Sequence, residues 1–166
     1  LISKNTEKSI WFRHILDSAQ IIKFIDTSKD HNIVDFGSGA GFPGLIIAFY
    51  NENTRFHVKL YEKSPVKRAF LRNIKEKLDI RNLDIANDVY GEEILADIIV
   101  CRAFKKLEEI LKISRETVKK PHKLIILKGK NAQSEINNVS LGSNYSYKLE
   151  NSITDHDSKI IIVDAK

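Results

Sequence analysis

The sequence predicts an α/β fold: a doubly wound, mostly parallel sheet with an antiparallel edge and helices on both faces. Three observations support this prediction. Short apolar segments alternate with amphipathic helical segments along the chain, and the first strand candidate runs into a glycine-rich loop. The last two strand candidates follow each other without a helix between them. Alternating strands and helices form right-handed parallel crossovers, whereas a directly connected strand pair is antiparallel.

The length of 166 residues fits one domain, and no repeat, low-complexity tract or linker divides it. We predict a single domain over residues 1–166, with an N-terminal helix at about 7–25 and a core sheet over about 32–166. Because the chain begins with Leu1 and contains no Met, we expect that an N-terminal segment is missing from it. Strands are expected at 32–36, 56–61, 83–86, 96–100, 123–127, 145–150 and 159–163, and the other helices at 44–50, 64–78 and 106–118.

Two of these helices have clear sequence signals. Pro43 suits the first turn of the helix at 44–50. The pair Ser64-Pro65 is a strong helix start, with Ser as the N-cap and Pro at the first helical position. The helix that begins there is expected to bury four apolar side chains, those of Val66, Phe70, Leu71 and Ile74.

Composition excludes several function classes. Cys101 is the single cysteine, which excludes an intramolecular disulfide and argues against a cysteine-based zinc site, so we expect no metal. No apolar run approaches the ~18 residues of a membrane span, and no signal peptide opens the chain. The formal net charge of +5 is compatible with a polyanionic partner without establishing one. A reducing, intracellular setting is expected.

The loop after the first strand runs from Asp35 to Gly44 and contains alternating glycines at Gly37, Gly39 and Gly41. In a doubly wound sheet, ligands bind at the carboxyl ends of the strands, and glycines there let the backbone approach a nucleotide closely. The alternative is a tight strand-to-helix turn without a ligand. A dinucleotide fingerprint would require glycine at Phe42, and the Lys-Ser/Thr ending of a phosphate-binding Walker loop is absent.

The second strand ends at Glu62, whose carboxylate has two oxygens that can accept hydrogen bonds from the hydroxyls of a ribose. Alone, Glu62 is an ordinary surface acid. Together with the glycine loop it favours an adenosine-containing ligand, although nicotinamide enzymes share such an acid. After the third strand, Val89 and Tyr90 are candidates for apolar walls around an adenine.

The pattern Asp-x-Gly-x-Gly-x-Gly resembles motif I of the Rossmann-like class I S-adenosylmethionine-dependent methyltransferases. Four further segments, 14–18, 67–72, 101–104 and 127–129, make nearly the whole chain similar to the glucose-inhibited division protein B family. Those bacterial enzymes methylate N7 of a guanine in 16S ribosomal RNA. The resemblance implies S-adenosyl-L-methionine as cofactor and a cytoplasmic enzyme. It also implies 16S ribosomal RNA or a precursor of the small ribosomal subunit as partner, and we expect a monomer that does not bind membranes.

The resemblance also implies site residues. Cofactor contacts carried over from the family fall on Gly37, Phe42, Val89, Tyr90 and Arg102, to which the loop and strand patterns add Gly39 and Glu62. Two positions depart from the family pattern, because Cys101 replaces a serine and Tyr90 replaces an acid. A contact at Tyr90 would therefore use its backbone or ring stacking.

The implied chemistry needs no general base, because guanine N7 carries a lone pair and no proton, and catalysis then consists of positioning and exclusion of water. Arg102 and Lys128, at the ends of neighbouring strands, are the candidates for positioning; the alternative is that they are rim charges. Cys101 is expected to be a buried small hydrophobe. The segment 101–104 lacks the Asn/Asp-Pro-Pro-Tyr/Phe pattern of enzymes that methylate exocyclic amines.

Candidate RNA contacts are His14 and a basic helical face formed by Lys67, Arg68 and Arg72. The alternatives are a core or capping histidine and a merely solvated helix face. Three other functions stay open: another S-adenosylmethionine-dependent RNA methyltransferase, an NAD(P)-dependent Rossmann oxidoreductase, and an RNA-binding module without activity.

Overall fold

A computed structural model describes residues 9–50, 56–139 and 141–166. Five parallel strands, β1 to β5, are extended at one edge by the antiparallel strands β7 and β6, in the order β3-β2-β1-β4-β5-β7-β6. The predicted fold class is confirmed. The strands are β1 (His31–Phe36), β2 (Phe56–Tyr61), β3 (Leu83–Ala86), β4 (Ile98–Arg102), β5 (His122–Lys128), β6 (Tyr145–Asn151) and β7 (Lys159–Ala165).

Helices cover both faces of the sheet, because the central strands are apolar on both sides. An opening helical segment consists of a π-helical piece (Trp11–Leu16), one α-helical turn (Asp17–Ala19) and a 3-10 piece (Gln20–Phe24). It packs on one face together with α1 (Gly44–Tyr50) and α2 (Pro65–Lys77). On the other face lie α3 (Leu107–Thr117) and α4 (Ala132–Asn137). Within the described ranges, no helix is long and apolar enough to cross a membrane.

Two expectations about local structure are wrong, and one helix was not predicted. In α2, Leu71 is buried as predicted, but Val66 is 72% exposed and Phe70 is 38% exposed, because the helix rests on the sheet along a narrow stripe. Strand β4 both begins and ends two residues later than predicted, so it includes Cys101 and Arg102. The helix α4 was not predicted, because it is a single short polar segment.

The order of the strands fixes the place of a ligand site. Strands β1 and β4 are neighbours, although their connections run to opposite sides of the sheet, so the strand order reverses between them. At such a reversal the loops after the two strands diverge and leave a crevice at their carboxyl ends. The loops after β1 and β4 begin with Gly37 and Ala103.

Candidate active site

The glycine loop after β1 has a left-handed backbone at Gly37 (φ 72°), Gly39 (φ 59°) and Gly41 (φ 98°). Its start is fixed to the end of β2, because the backbone N–H groups of Gly37 and Ser38 both donate to the carbonyl oxygen of Tyr61, at 2.9 and 3.0 Å. The alternation of glycines is thus a conformational requirement, since side chains are disfavoured at positive φ. The loop turns its backbone toward the crevice.

Asp35 lies fully buried beneath this loop. Its Oδ2 accepts a hydrogen bond from the backbone N–H of Gly44 at 2.9 Å, whereas its Oδ1 has no partner among the described residues. A Cβ at Gly44 would lie 2.7 Å from the Cβ of Asp35, so glycine is required for this contact. Burial raises the pKa of Asp35 to about 7.

Glu62 is only 6% exposed and joins the glycine loop to the loop that follows β2. Its Oε2 accepts from the backbone N–H of Gly39 at 2.9 Å, and its Oε1 accepts from the backbone N–H of Ser64 at 2.8 Å. Glu62, the predicted ribose acceptor, therefore also holds the two loops together. Each carboxylate oxygen can accept a second hydrogen bond, so the prediction of a ribose contact stays open.

A cleft of about 390 Å³ opens beside Glu62, between the carboxyl ends of β1, β2, β3 and β4. Among the predicted cofactor residues, Val89 is buried at its wall and Tyr90 is half exposed at its mouth. The ring of Phe104 lines the cleft and packs directly on Gly37, where an added Cβ would lie 2.3 Å from the ring. The lining residues are Gly37, Tyr61, Glu62, Lys63, Lys67, Asn87, Asp88, Val89, Tyr90, Ala103, Phe104 and Lys105.

A second cavity, of about 220 Å³, lies at the same edge of the sheet, beyond the ends of β4, β5 and β7. It is bordered by the opening helical segment and by the turn between β6 and β7. Its lining residues are Asp17, Arg102, Ala103, Leu127, Lys128, Gly129, Ser152, Ser158, Lys159 and Ile160. The two cavities have one lining residue in common, Ala103.

Arg102, the last residue of β4, connects the sheet to the opening helical segment. Its Nη1 donates to the carbonyl oxygen of Arg13 at 3.0 Å and to Oδ2 of Asp17 at 3.2 Å, and its Nη2 lies 2.8 Å from Nδ1 of His14. The guanidinium carbon lies 5.1 Å from the ring centre of Phe42, on which the His14 ring stacks at 5.2 Å. Three predicted site residues, His14, Phe42 and Arg102, are therefore in mutual contact.

These contacts determine the protonation of His14. A guanidinium has only donors, so Nδ1 of His14 must accept, and the ring proton lies on Nε2. Burial, followed by the charge of Arg102, lowers the pKa of His14 below its usual value. The Nε2 atom is buried and has no partner among the described residues. His14 is thus a neutral side chain that holds Arg102, and its predicted contact with RNA stays a prediction.

Sequence reasoning did not assign a role to Asp17, which connects three elements around the second cavity. Its Oδ1 accepts from Nε2 of Gln20 at 2.7 Å and from Oγ1 of Thr154 at 2.6 Å, while its Oδ2 is paired with Arg102. Gln20 in turn accepts from the backbone N–H of Ile153 at 3.0 Å. The partners are more than 130 residues apart along the chain, so no local pattern indicates the contact.

Lys128, at the end of β5, is 12% exposed and forms an ion pair with Oε2 of Glu135 at 2.8 Å. Its Nζ also donates to the carbonyl oxygen of Lys105. The same Glu135 oxygen accepts from the backbone N–H of Leu107 at 2.6 Å, at the start of α3. Lys128 is therefore a fixed, partly buried cation at the border of the second cavity.

The predicted basic face of α2 divides into different environments. Nη1 of Arg68 donates to three acceptors that belong to the loops after β2 and β3, namely the carbonyl oxygens of Glu62 and Lys63 at 2.8 and 2.7 Å and Oδ1 of Asn87 at 2.8 Å. Lys67 borders the first cleft, and Arg72 is exposed. Arg68 thus supports the cleft, whereas Arg72 is available to a partner at the surface.

Cys101 is a free cysteine that is buried in the core. Burial raises the pKa of the Cys101 thiol, which favours the neutral thiol and agrees with the predicted hydrophobic role. Among the described residues no cluster of three potential metal ligands occurs. A larger groove, of about 810 Å³, lies between the opening helical segment and α1 and is lined almost entirely by apolar side chains.

Comparison with known proteins decides the family. The family model of rRNA small subunit methyltransferase G matches residues 1–159. The chain belongs to this family. The rRNA small subunit methyltransferase G of Orientia tsutsugamushi (strain Ikeda) is 37% identical over 163 residues, which are 97% of this chain and 79% of that protein. The one from Pelagibacter ubique is 35% identical over 166 residues, or 97% of this chain and 78% of the relative.

Solved structures of other proteins share the fold with this member of the rRNA small subunit methyltransferase G family. A SAM-dependent methyltransferase from Aquifex aeolicus superposes with a TM-score of 0.74 at 12% identity, covering 97% of this chain and 94% of that one. M. jannaschii TYW2 in complex with AdoMet gives a TM-score of 0.64 at 14% identity, with coverage of 99% and 76%. The resemblance inferred from the five sequence segments is therefore confirmed at the level of family and fold.

Proposed function

We propose that this protein transfers the methyl group of S-adenosylmethionine to N7 of a guanine in 16S ribosomal RNA. The observation that carries the proposal is the pair of adjacent cavities at the carboxyl edge of the sheet, one beside the glycine loop and one beside two fixed cations. Methyl transfer requires two ligands that meet end to end, and this arrangement provides a place for each. The specific base, N7 of guanine, is the acceptor that the family resemblance implies.

The first cavity, here called the cofactor cleft, fits S-adenosylmethionine. Its volume of about 390 Å³ lies within the range of about 300–1,000 Å³ that is usual for small-molecule sites. Gly37 and Gly39 would present backbone to the cofactor, Glu62 would accept from the ribose hydroxyls, and Val89 and Tyr90 would border the adenine. A Cβ at Gly39 would meet only the carbonyl oxygen of Gly37, at 3.9 Å, so this part of the loop faces open space.

The second cavity, here called the acceptor cavity, is smaller than that range at about 220 Å³, which suits a single planar base. Arg102 has five N–H groups, of which described residues use three, so donors remain for the base or its phosphate. The ammonium of Lys128 at the cavity border would lie near the electron-rich edge of guanine. Both cations are held by protein partners, which restricts their motion and lets them orient a base.

When bound, S-adenosylmethionine supplies a methyl group made electrophilic by its sulfonium. The acceptor nitrogen needs no deprotonation, so this chain's residues have only to hold the base in line and exclude water. Arg102 and Lys128 are the residues proposed for that positioning. Their charges also disfavour a protonated base, which would have no lone pair for attack.

The partner is inferred from the family and from charge. We infer that 16S ribosomal RNA, free or in a precursor of the small subunit, binds over the carboxyl edge of the sheet in the bacterial cytoplasm, where ribosomes are assembled. Exposed cations such as Arg72 would contact its phosphates, and His14 lies on the same edge as the acceptor cavity. We propose that the protein acts as a monomer, as expected from its sequence.

Calorimetry with the purified protein tests the cofactor, and methylation assays test the substrate. We expect S-adenosylhomocysteine to bind and NAD⁺ and NADP⁺ not to bind, since Phe42 replaces the third glycine of a dinucleotide loop. Labelled methyl groups should then appear at a guanine N7 of 16S RNA, measured by mass mapping with free RNA and small subunits as parallel substrates. Binding of a dinucleotide alone, or RNA binding without methylation, would contradict the proposal.

A further inference from the structure

Ala103 occupies a singular position between the two cavities. It is the first residue after β4, and it alone belongs to the lining of both the cofactor cleft and the acceptor cavity. Its backbone is left-handed, with φ of 50°, a conformation that is uncommon for a residue with a side chain. Asp79 is the one other non-glycine residue of the described ranges with positive φ.

The left-handed turn at Ala103 directs its two neighbours into different cavities. Arg102, before it, lines the acceptor cavity and contacts the opening helical segment. Phe104, after it, lines the cofactor cleft, where its ring packs on Gly37 and lies 6.1 Å from the ring of Phe36. Because an extended backbone at position 103 would continue β4, this single residue determines where the cofactor cleft ends and the acceptor cavity begins.

We propose that Ala103 is a positioning residue that forms the thin wall across which the methyl group passes, an inference that rests on the proposed function. In the transfer, a bond forms between the acceptor nitrogen and the methyl carbon while the bond from that carbon to sulfur breaks. The electron pair of the broken bond stays on sulfur, and the positive charge moves to the base. The reacting atoms must approach to about 3–3.5 Å in line, which leaves no room for a larger side chain between the cavities.

Two substitutions separate side-chain size from backbone conformation. Ala103→Leu adds volume while it keeps a similar penalty for the left-handed backbone, whereas Ala103→Gly keeps the wall thin and removes that penalty. Asp79→Leu is the matched control, since it places leucine at the other left-handed position, which borders neither cavity. Each variant is measured by calorimetry with S-adenosylhomocysteine, by RNA binding and by single-turnover methylation.

For Ala103→Leu we expect single-turnover methylation to fall by about 100-fold, while the dissociation constants for S-adenosylhomocysteine and RNA stay within about threefold of the wild type. Asp79→Leu, which borders neither cavity, should methylate within about threefold of the wild type, and Ala103→Gly should lose far less transfer than Ala103→Leu. A fall in transfer without a fall in either binding step distinguishes a positioning role from a structural one, which would move all three.

Two outcomes would overturn this inference: a Leu variant that methylates at the wild-type rate, or one that loses S-adenosylhomocysteine binding in parallel with methylation. In the second case Ala103 would be part of the cofactor cleft alone. Failure of the proposed function is distinguishable from both, because the wild-type protein itself would then show no S-adenosylhomocysteine binding or no methylation.

Discussion

The cofactor cleft and the acceptor cavity share an edge of the sheet but are built in different ways. The cleft depends on backbone, since it is bordered by the left-handed Gly37 at the start of the glycine loop and by a carboxylate bonded to two backbone N–H groups. The acceptor cavity is built from charged side chains, with Arg102 and Lys128 held by Asp17 and Glu135. A site formed by backbone tolerates few substitutions at its glycines. A site formed by charged side chains depends on ion pairs, which a single substitution can break.

The largest effect is expected from Gly37→Asp in the cofactor cleft. Position 37 is left-handed, and the new Cβ would lie 2.3 Å from the ring of Phe104, which therefore has to move into the cleft. The affinity for S-adenosylhomocysteine should fall by at least about 100-fold, as measured by calorimetry. Gly142→Asp is the matched control, because nothing lies within 4 Å of a Cβ there. Equal losses in both variants would show that the cleft is not the cofactor site.

How far the sequence predicts each site follows from this difference. The glycine loop and Glu62 lie within 28 residues of one another, and their chemistry is a matter of local backbone conformation, so the residue pattern indicates them. The acceptor cavity requires the contact between Asp17 and Thr154, which the antiparallel return of β7 brings together. No periodicity indicates such a contact.

The same reasoning applies to the fold. The mostly parallel sheet with its antiparallel edge followed from the alternation of strands and helices, whereas the exposed Val66 and Phe70 of α2 were expected to be buried. Helical spacing gives the apolar side of a helix but not the width of the sheet beneath it. The helix α4 buries only Ala132 and Ile136, too few apolar positions for a period to be visible in the sequence.

Asp17→Ala should impair the acceptor cavity and leave the cofactor cleft intact. The substitution leaves the largely buried Arg102 guanidinium without its carboxylate and removes an acceptor from Gln20 and Thr154. We expect a loss of about 3 kcal/mol in the free energy of unfolding, measured with urea, and slower methylation. The affinity for S-adenosylhomocysteine should be unchanged, because Asp17 does not line the cofactor cleft.

The control for this prediction is Asp84→Ala, which removes a surface ion pair with Lys75 and a hydrogen bond with His57. Exposed pairs contribute at most about 1 kcal/mol, so this variant should be nearly as stable as the wild type. A parallel loss of cofactor affinity and methylation in Asp17→Ala would mean that the two cavities do not form separate units.

A pH series tests Asp35, the carboxyl group that is buried beneath the glycine loop. An aspartate in an unfolded chain has a pKa of about 3.9, whereas the pKa of Asp35 in the folded protein is raised by burial to about 7. Between these values the folded state holds a proton that the unfolded state has released. The contribution of Asp35 to stability is therefore fully present below about pH 4 and is lost as the pH rises through about 7.

For wild type relative to Asp35→Asn, the free energy of unfolding should fall by about 2 kcal/mol between pH 5 and pH 7. Asparagine does not titrate and its side-chain oxygen can still accept from the backbone N–H of Gly44, so the difference between the two proteins isolates this carboxyl. Urea unfolding at four or five pH values measures it. Parallel curves for the two proteins would show that Asp35 is ionised over the whole range.

The smallest effect is expected on the outer side of the cleft, where the two arginines of α2 should behave differently. Arg72→Ala removes an exposed cation, so it should leave S-adenosylhomocysteine affinity unchanged and lower the slope of log affinity for RNA against log salt by about 1. Arg68→Ala should also lower the affinity for S-adenosylhomocysteine, because Arg68 joins the loops after β2 and β3 through Glu62, Lys63 and Asn87. Calorimetry and RNA binding over a salt series measure the two effects. If Arg68→Ala changed only the salt slope, these hydrogen bonds would not support the cleft, and the backbone of the glycine loop would maintain the site without them.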